Sequence, residues 1–572
     1  YMSQQLKLSF PSPSKIKRIN SVLSRKEKFF FYLAIVILLA SIVAWAVYFY
    51  LSYTKTVADF GGEYIEGVIG RPIFVNPILA SSQTDLALSR LLFSSLLTYD
   101  NKGSLINDLA KDYQIENEGK RYRVNLKENV LWHDQKSELT AEDIAFTVHT
   151  IQDSTFNKNP ALKNDWKDVQ VNTEGKYTII FDLPEPFAPF PNRLTFGILP
   201  HHIFKDISPE KFLTTPFNLE PVGSGPFIYS DMEKDAEGNP ISYRLIANTN
   251  YYNEKPYLEK ITFNFYNSSD DLYSAYDKKQ INGFFTASGA KANNWSNRRD
   301  TNVKTLRLPL YFSILFNQEK SPVLAKKEVR EALALATDRE ALVTEIFNGY
   351  ASVESSPILK NFGDFSAQKS VDFNLALAEE KLEENGWKKN SEGIREKDGQ
   401  KLEFSFVSPD FEDLVKTAEL LVNQWKNLGA KVTFTTAELG DLRKNFIQPR
   451  EYQAILINHE YLGNDPDPLL FFHSKWKNDP GNNVALYNNR VVDDLLTAAS
   501  KKQSLEERRK DYAQFEEIIL NDNPGVFLYS PFSIYVQNQR VRGMNTEAII
   551  NASFRFTDIT GWYLKTTRVK KD

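Results

Sequence analysis

The densest run of chemically capable side chains is Tyr461-Leu-Gly-Asn-Asp-Pro-Asp-Pro468, followed by Leu-Leu-Phe-Phe-His473-Ser474. A residue before proline is pushed out of the helical region, so two Asp-Pro steps in four residues place Asp465 and Asp467 on a loop. Two carboxylates on one stiff loop have the chemistry to hold a cation or an ammonium group. They equally suit a solvated turn in which each Asp accepts from nearby backbone, and local sequence by itself puts that reading first. The six histidines are His133, His149, His201, His202, His459 and His473. Adjacent rings such as His201 and His202 rarely face one ion, so no metal is expected. His133, after Trp132 at a strand end, is expected to make a structural hydrogen bond. No HExxH, GxSxG, GxxxxGK[ST] or post-strand GxGxxG motif occurs. With 73 acidic residues, a close carboxylate pair carries little information. The absence of cysteine removes disulfides, thiolate metal sites and cysteine nucleophiles. The residues thus leave catalysis possible but unsupported, and no cofactor is implied.

Positioning such a loop takes a scaffold. At 572 residues the chain is long enough for about three domains, and 42% apolar residues can fill their cores. Tyr122, Val124 and Leu126 alternate with polar residues, as do Tyr177, Ile179, Phe181 and Leu183, and Ile261, Phe263 and Phe265, which predicts half-buried strands. Thr140 with Asp143 predicts a helix start. Ser321-Pro322 predicts the start of a helix whose face is Val329, Leu333, Ala336, Val343 and Phe347 and which Gly349 closes. Leu414, Ala418, Leu421, Trp425 and Leu428 are helically spaced up to Gly429, after which Val432 and Phe434 alternate as a strand. Ser504 and Glu507 predict a capping box, and Asn523-Pro524 the end of that helix. This mixture predicts an α/β fold.

Charge is unevenly distributed. Residues 1–28 carry Lys7, Lys15, Lys17, Arg18, Arg25, Lys26 and Lys28 against Glu27, a net +6 in a chain of net −4, which leaves −10 on the rest. Phe29–Leu51 is uncharged, and its 23 residues at ~1.5 Å each span about 34 Å, enough for a ~30 Å hydrocarbon core. The basic flank predicts a cytoplasmic basic tail (1–28), a transmembrane helix (29–51), a linker (52–59) and a large extracytoplasmic part. A cleaved signal sequence is the competing reading, since Ala44-Trp45-Ala46 has the small-x-small pattern, but the apolar run exceeds the ~7–15 residues of a usual signal core. The acidic remainder disfavours nucleic acid.

Several segments, in order, resemble a known family. They are LLFSSLLTYDNKGSLINDLAKDY (91–113), YRVNLKENVLWHDQKSELTAED (122–143), GILPHHIF (197–204), PVGSGPF (221–227), EVREALALATDREALV (328–343) and NNVALYNNRVVDDLLTAA (482–499). The resemblance is to the extracellular solute-binding proteins of peptide-type ABC importers, the family 5 group of dipeptide, oligopeptide and nickel receptors. It implies a two-lobed periplasmic-binding-protein-like (type II) α/β fold with an inserted domain. Lobe I would be 60–95, 218–308 and 530–566, the insertion 96–217 and lobe II 309–529, with crossovers near Leu308–Asn317 and Tyr529–Tyr535. It further implies a monomeric, non-enzymatic receptor that encloses a peptide and passes it to permease subunits. The family's amine-binding aspartate position, three residues after an aromatic, falls on Asn464 after Tyr461, so Asp465 and then Asp467 become the expected amine partners. Tyr461, Val75 and Asn76 on the opposite wall, and Tyr529 at a crossover, complete the expected contact set. Nickel, haem and oligosaccharide are other ligands on this fold. A hydrolase using cleft carboxylates and a tethered sensor or chaperone are the rival functions.

Overall fold

The computed structural model describes residues 23–571 apart from 157, 287–288, 360–370, 462 and 464. The chain divides into two units, Phe60–Leu564 and the two flanks that end at Asp59 and begin at Lys565.

In the flanking unit, Ser24 and Glu27 form a reciprocal capping box that opens a helix over Arg25–Tyr53. None of its side chains is buried, as expected for an apolar helix with no protein around it. The expected linker at 52–59 is instead structured. The helix runs on to Tyr53, and Thr54–Asp59 pairs antiparallel with Lys565–Lys570. The β-branched Thr54, Thr56 and Val57 favour a strand there once a partner is available. Arg568 fixes the pair by donating to the Thr54 hydroxyl at 2.8 Å.

The larger unit contains three principal sheets. A seven-stranded mixed sheet runs in the order Thr301–Leu306, Ser533–Asn538, Gly283–Thr286, Glu63–Ile69, Lys260–Tyr266, Pro240–Ala247 and Phe227–Lys234. Glu63–Ile69 is parallel to both of its neighbours. A six-stranded sheet runs Ala351–Val353, Gly525–Pro531, Leu310–Phe316, Ala454–Glu460, Glu403–Pro409 and Lys431–Ala437. A four-stranded sheet joins Ala110–Glu116, Arg121–Leu126, Thr178–Asp182 and Gln170–Thr173. Arg121–Leu126 alternates as the sequence predicts, with Tyr122, Val124 and Leu126 buried. Ile179, Phe181, Ile261 and Phe263 are fully buried too, but Ile180 and Thr262 between them are also covered, so those two strands are buried on both faces. Tyr177 and Phe265 are only half-buried. The chain leaves the seven-stranded sheet after Leu306, enters the six-stranded sheet at Leu310, and returns between Pro531 and Ser533.

Locally encoded helices form where expected. Thr140 and Asp143 make the capping box of Ala141–Gln152. Glu412–Leu428 ends at Gly429, whose φ of +99° is the left-handed geometry glycine tolerates best. The helix expected from Ser321 to Gly349 starts only at Lys327, so Ser321 is not its cap, and it is two helices, Lys327–Leu335 and Arg339–Phe347. Asp338 breaks it, because its carboxylate accepts from the Ala341 N–H at 3.0 Å and so caps a new helix. Asn348, one residue before the expected glycine, takes the left-handed closing position. Ser504 precedes Leu505–Asp522 as expected but makes no side-chain cap bond, and Asn523 ends the helix at φ +47°.

Candidate ligand-binding site

The Asp-Pro loop follows the strand Ala454–Glu460 and is held at its root by backbone and ring together. Tyr461 N–H donates to the Pro309 carbonyl at 2.7 Å, beside the first crossing between sheets. Its hydroxyl donates to the Pro357 carbonyl at 2.6 Å, and its ring is buried. Beneath it, His459 stacks on Tyr311 at 5.0 Å, and burial pushes the imidazole down to about 3, so it is a neutral packing ring.

Gly463 brings the loop to the facing wall. It sits at φ +71°, and a Cβ there would lie 2.8 Å from Asn192 Oδ1 and from the Tyr99 ring, so only glycine allows this approach. Tyr99 in turn donates to Asn192 Oδ1 at 2.8 Å. A loop from the six-stranded sheet thus touches residues that flank the four-stranded sheet.

Asn464 lies outside the described residues. Asp465 Oδ2 accepts from Arg508 Nη2 at 2.7 Å, with both side chains nearly covered. Its Oδ1 is buried without a partner among the described residues. Burial raises the Asp465 carboxyl above its usual range, while Arg508 opposes that shift. Asp467 accepts from the Leu469 N–H at 3.0 Å, the turn-forming bond that the Asp-Pro pattern predicts. Arg508 was not legible as a partner. It lies on the helix Leu505–Asp522, 43 residues from Asp465, in a charged run that reads as a solvated face.

The other expected contacts make bonds of their own within the fold. The Val75 N–H is taken by the Asn218 carbonyl at 2.8 Å, which leaves that amide nothing to offer a ligand. Asn76 Oδ1 accepts from the Ile78 N–H at 3.2 Å and its carbonyl from Leu79 and Ala80, while its Nδ2 is buried with no partner among the described residues. Tyr529 is a core residue: it is fully buried, packs on Phe347 at 4.6 Å and bonds the Thr417 hydroxyl at 2.8 Å. No hydrogen bond or ion pair joins Val75, Asn76 or Tyr529 to the Asp-Pro loop among the described residues.

A second buried charge lies in the strand Glu63–Ile69. Glu66 is fully buried and accepts from Tyr64 at 2.8 Å, Tyr535 at 2.6 Å and the Arg555 fork at 2.8 Å. Glu66 and Arg555 also line a cavity of about 200 Å³. The structural role read for His133 holds: Nδ1 accepts from the Gly223 N–H at 3.1 Å and Nε2 faces the Gly225 carbonyl at 3.0 Å. Burial holds that ring down at about 4, so it is neutral. Among the described residues no group of three or more His, Asp or Glu could hold a metal ion.

Asp467 yields a pH prediction. Burial, aided by neighbouring Asp465, pushes its carboxyl from 3.8 up to about 7. A raised acid favours the folded state while protonated, and that contribution fades as pH rises from about 4 through about 7. Its edge is partly exposed, so screening trims the effect to about 1–2 kcal/mol. Asp467→Asn should therefore flatten the stability profile between pH 5 and 8 in urea unfolding. An unchanged profile would place the titration elsewhere.

The family model of bacterial extracellular solute-binding proteins, family 5 middle, matches residues 104–483. The oligopeptide-binding protein AppA of Bacillus subtilis (strain 168) is 27% identical over 501 residues, covering 84% of this chain and 89% of the relative. The solved structure of AppA from Bacillus subtilis, in complex with a nonapeptide, superposes with a TM-score of 0.67 at 24% identity, over 89% of this chain and 100% of that one. HbpA2 from Haemophilus parasuis gives a TM-score of 0.76 at 21% identity, over 88% of this chain and 100% of that one. The mixed α/β sheets thus follow the periplasmic-binding-protein fold. With its family model covering well over half of its length, the chain belongs to the bacterial extracellular solute-binding proteins, family 5.

Proposed function

We propose that this protein is a membrane-anchored receptor that captures peptides outside the cell and delivers them to an ABC permease, making and breaking no bond. AppA, its relative, is named for oligopeptide binding and was solved with a nonapeptide. The lobes would be the halves built on the seven- and six-stranded sheets, with the four-stranded sheet as the inserted domain. The two chain crossings would act as the hinge. The observation that carries the reading is Asp465: one carboxylate oxygen is held by Arg508, and the other is buried and open on a loop that meets the facing wall. A buried acceptor without a partner is costly, and a peptide α-amine would satisfy it. Tyr461 would fix the loop beside the peptide's first residues, with Asp467 shaping the turn.

The chain has no cysteine, so introduced thiols label cleanly. Ile241→Cys and Phe411→Cys place probes at exposed sites on the seven-stranded and six-stranded halves. A free-amine nonapeptide should shorten the distance between them and be recovered intact, whereas its N-acetylated form should bind at least about 10-fold more weakly. Equal binding of the two peptides would remove the amine role of Asp465. A fixed distance at saturation would remove hinge closure, and cleaved peptide would favour a hydrolase.

The anchor reading rests on the Arg25–Tyr53 helix and its basic flank. Protease added outside intact cells should digest the large part and leave a membrane-embedded stub. A mature protein starting near Val47 would show signal cleavage instead.

A further inference from the structure

A cavity of about 250 Å³ lies against the wall that Gly463 touches, bounded by Pro77, Arg90 and Phe93 on one side and Trp166, Asn192 and Arg193 on the other. It far exceeds the ~30 Å³ share of one liquid water. Three of its lining residues carry buried N–H groups without a partner among the described residues: Arg90 Nε, Arg193 Nε and Trp166 Nε1. Each such donor costs free energy while unmet, and three around one space point to a missing acceptor.

The charges agree. Asp165 also lines the cavity and pairs the Arg193 guanidinium at 3.1 Å, which leaves the charge of Arg90 as the uncompensated one. Arg90 lies over the Phe554 ring at 3.5 Å and donates to the Thr98 hydroxyl at 3.2 Å, but forms no ion pair among the described residues. Asp108, a carboxylate whose charge acts on Arg90, is engaged by the Ser95 N–H and the Tyr252 hydroxyl. Burial lowers the Arg90 guanidinium only to about 10, so it stays charged at neutral pH. The Arg90 side chain is half-buried with its Nε fully covered, and a cation so placed without a counter-ion favours an anion beside it.

We propose that this cavity is a carboxylate subsite that takes an acidic group of the bound peptide, with Arg90 and Arg193 as its cations and Trp166 as a third donor. The proposal rests on the peptide reading above. Phe93 and Phe196 supply apolar wall for the stem that carries the carboxylate. The acidic group is either the C-terminus or an Asp or Glu side chain, and the two share this chemistry.

The test uses the full chain in detergent micelles and four matched nonapeptides, with one Glu or Gln and with a free or amidated C-terminus. N-acetylglutamate serves as a small probe read by thermal unfolding. Losing the recognised carboxylate should weaken binding by about 30-fold or more. Sensitivity to amidation assigns the C-terminus, and sensitivity to Glu-to-Gln exchange in the peptide assigns the side chain. Arg90→Met should erase that preference and the Tm rise with N-acetylglutamate. Arg193→Gln gives the same comparison from the other wall if Arg90→Met does not fold. Four peptides binding alike, with no Tm rise, would overturn the subsite and leave the peptide reading standing. A Tm rise with N-acetylglutamate but no peptide binding would keep a carboxylate site and overturn the peptide reading. No response to either would overturn both.

Discussion

Arg508→Ala is expected to lower the stability of the large unit by about 3–5 kcal/mol, because it strips Asp465 of the cation that compensates its burial. Unfolding entropy of ~2.1 cal/mol/K per residue over about 500 residues is about 1 kcal/mol/K, so a cooperative unit would melt about 3–5 °C lower. Arg508 also donates to the Lys502 carbonyl at 2.8 Å, which adds to the loss. The double variant Asp465→Leu with Arg508→Met should recover much of this, since two apolar side chains avoid the cost of dehydrating an ion pair. It should nevertheless fail to distinguish free from acetylated peptides. If single and double variants melt together, the ion pair is not what holds the loop.

Arg555→Ala should cost as much or more, because Glu66 is fully buried whereas Asp465 keeps a little exposure. Burial already lifts the Glu66 carboxyl above its ordinary value, and Arg555 is the largest influence holding it down. Removing the arginine lets that carboxyl rise further. A raised acid stabilises the fold when protonated and loses that contribution as pH climbs through its folded value. The variant should therefore lose about 3–5 kcal/mol at pH 8 and distinctly less at pH 5, read from urea midpoints. A loss below about 1 kcal/mol at both pH values would mean that Tyr64 and Tyr535 alone can satisfy Glu66.

What the sequence revealed follows the range of the interactions involved. The Thr140–Asp143 cap and the Gly429 stop are settled within one helical turn, and both are present as read. Asp338 also acts locally, but its capping competed with an apolar stripe that runs unbroken on paper from Val329 to Phe347. The pairing of Glu63–Ile69 with Lys260–Tyr266 joins residues about 200 apart, and no local pattern announces it. At the site, the two prolines made a loop of Asp465 and Asp467 legible. The role of Arg508 depends on how Leu505–Asp522 packs, and the role of Gly463 on Tyr99 and Asn192 arriving from far along the chain. At Val75 and Tyr529 the fold engages one group each, the Val75 N–H with the Asn218 carbonyl and the Tyr529 hydroxyl with Thr417, pairings that join residues more than 100 apart and that no local pattern announces.

The pairing of Thr54–Asp59 with Lys565–Lys570 bears on where the chain can be cut. A fragment that starts at residue 58, just beyond the apolar helix, keeps the C-terminal strand but discards the partners of Lys570 through Thr567. Their backbone donors and acceptors become a bare sheet edge, which a second copy of the fragment can pair with. Ends at residues 60 and 564 avoid this by removing both strands together, and a start at Thr54 avoids it by keeping both. The same purified protein would then run as a monomer or drift toward self-association depending on four residues at its start.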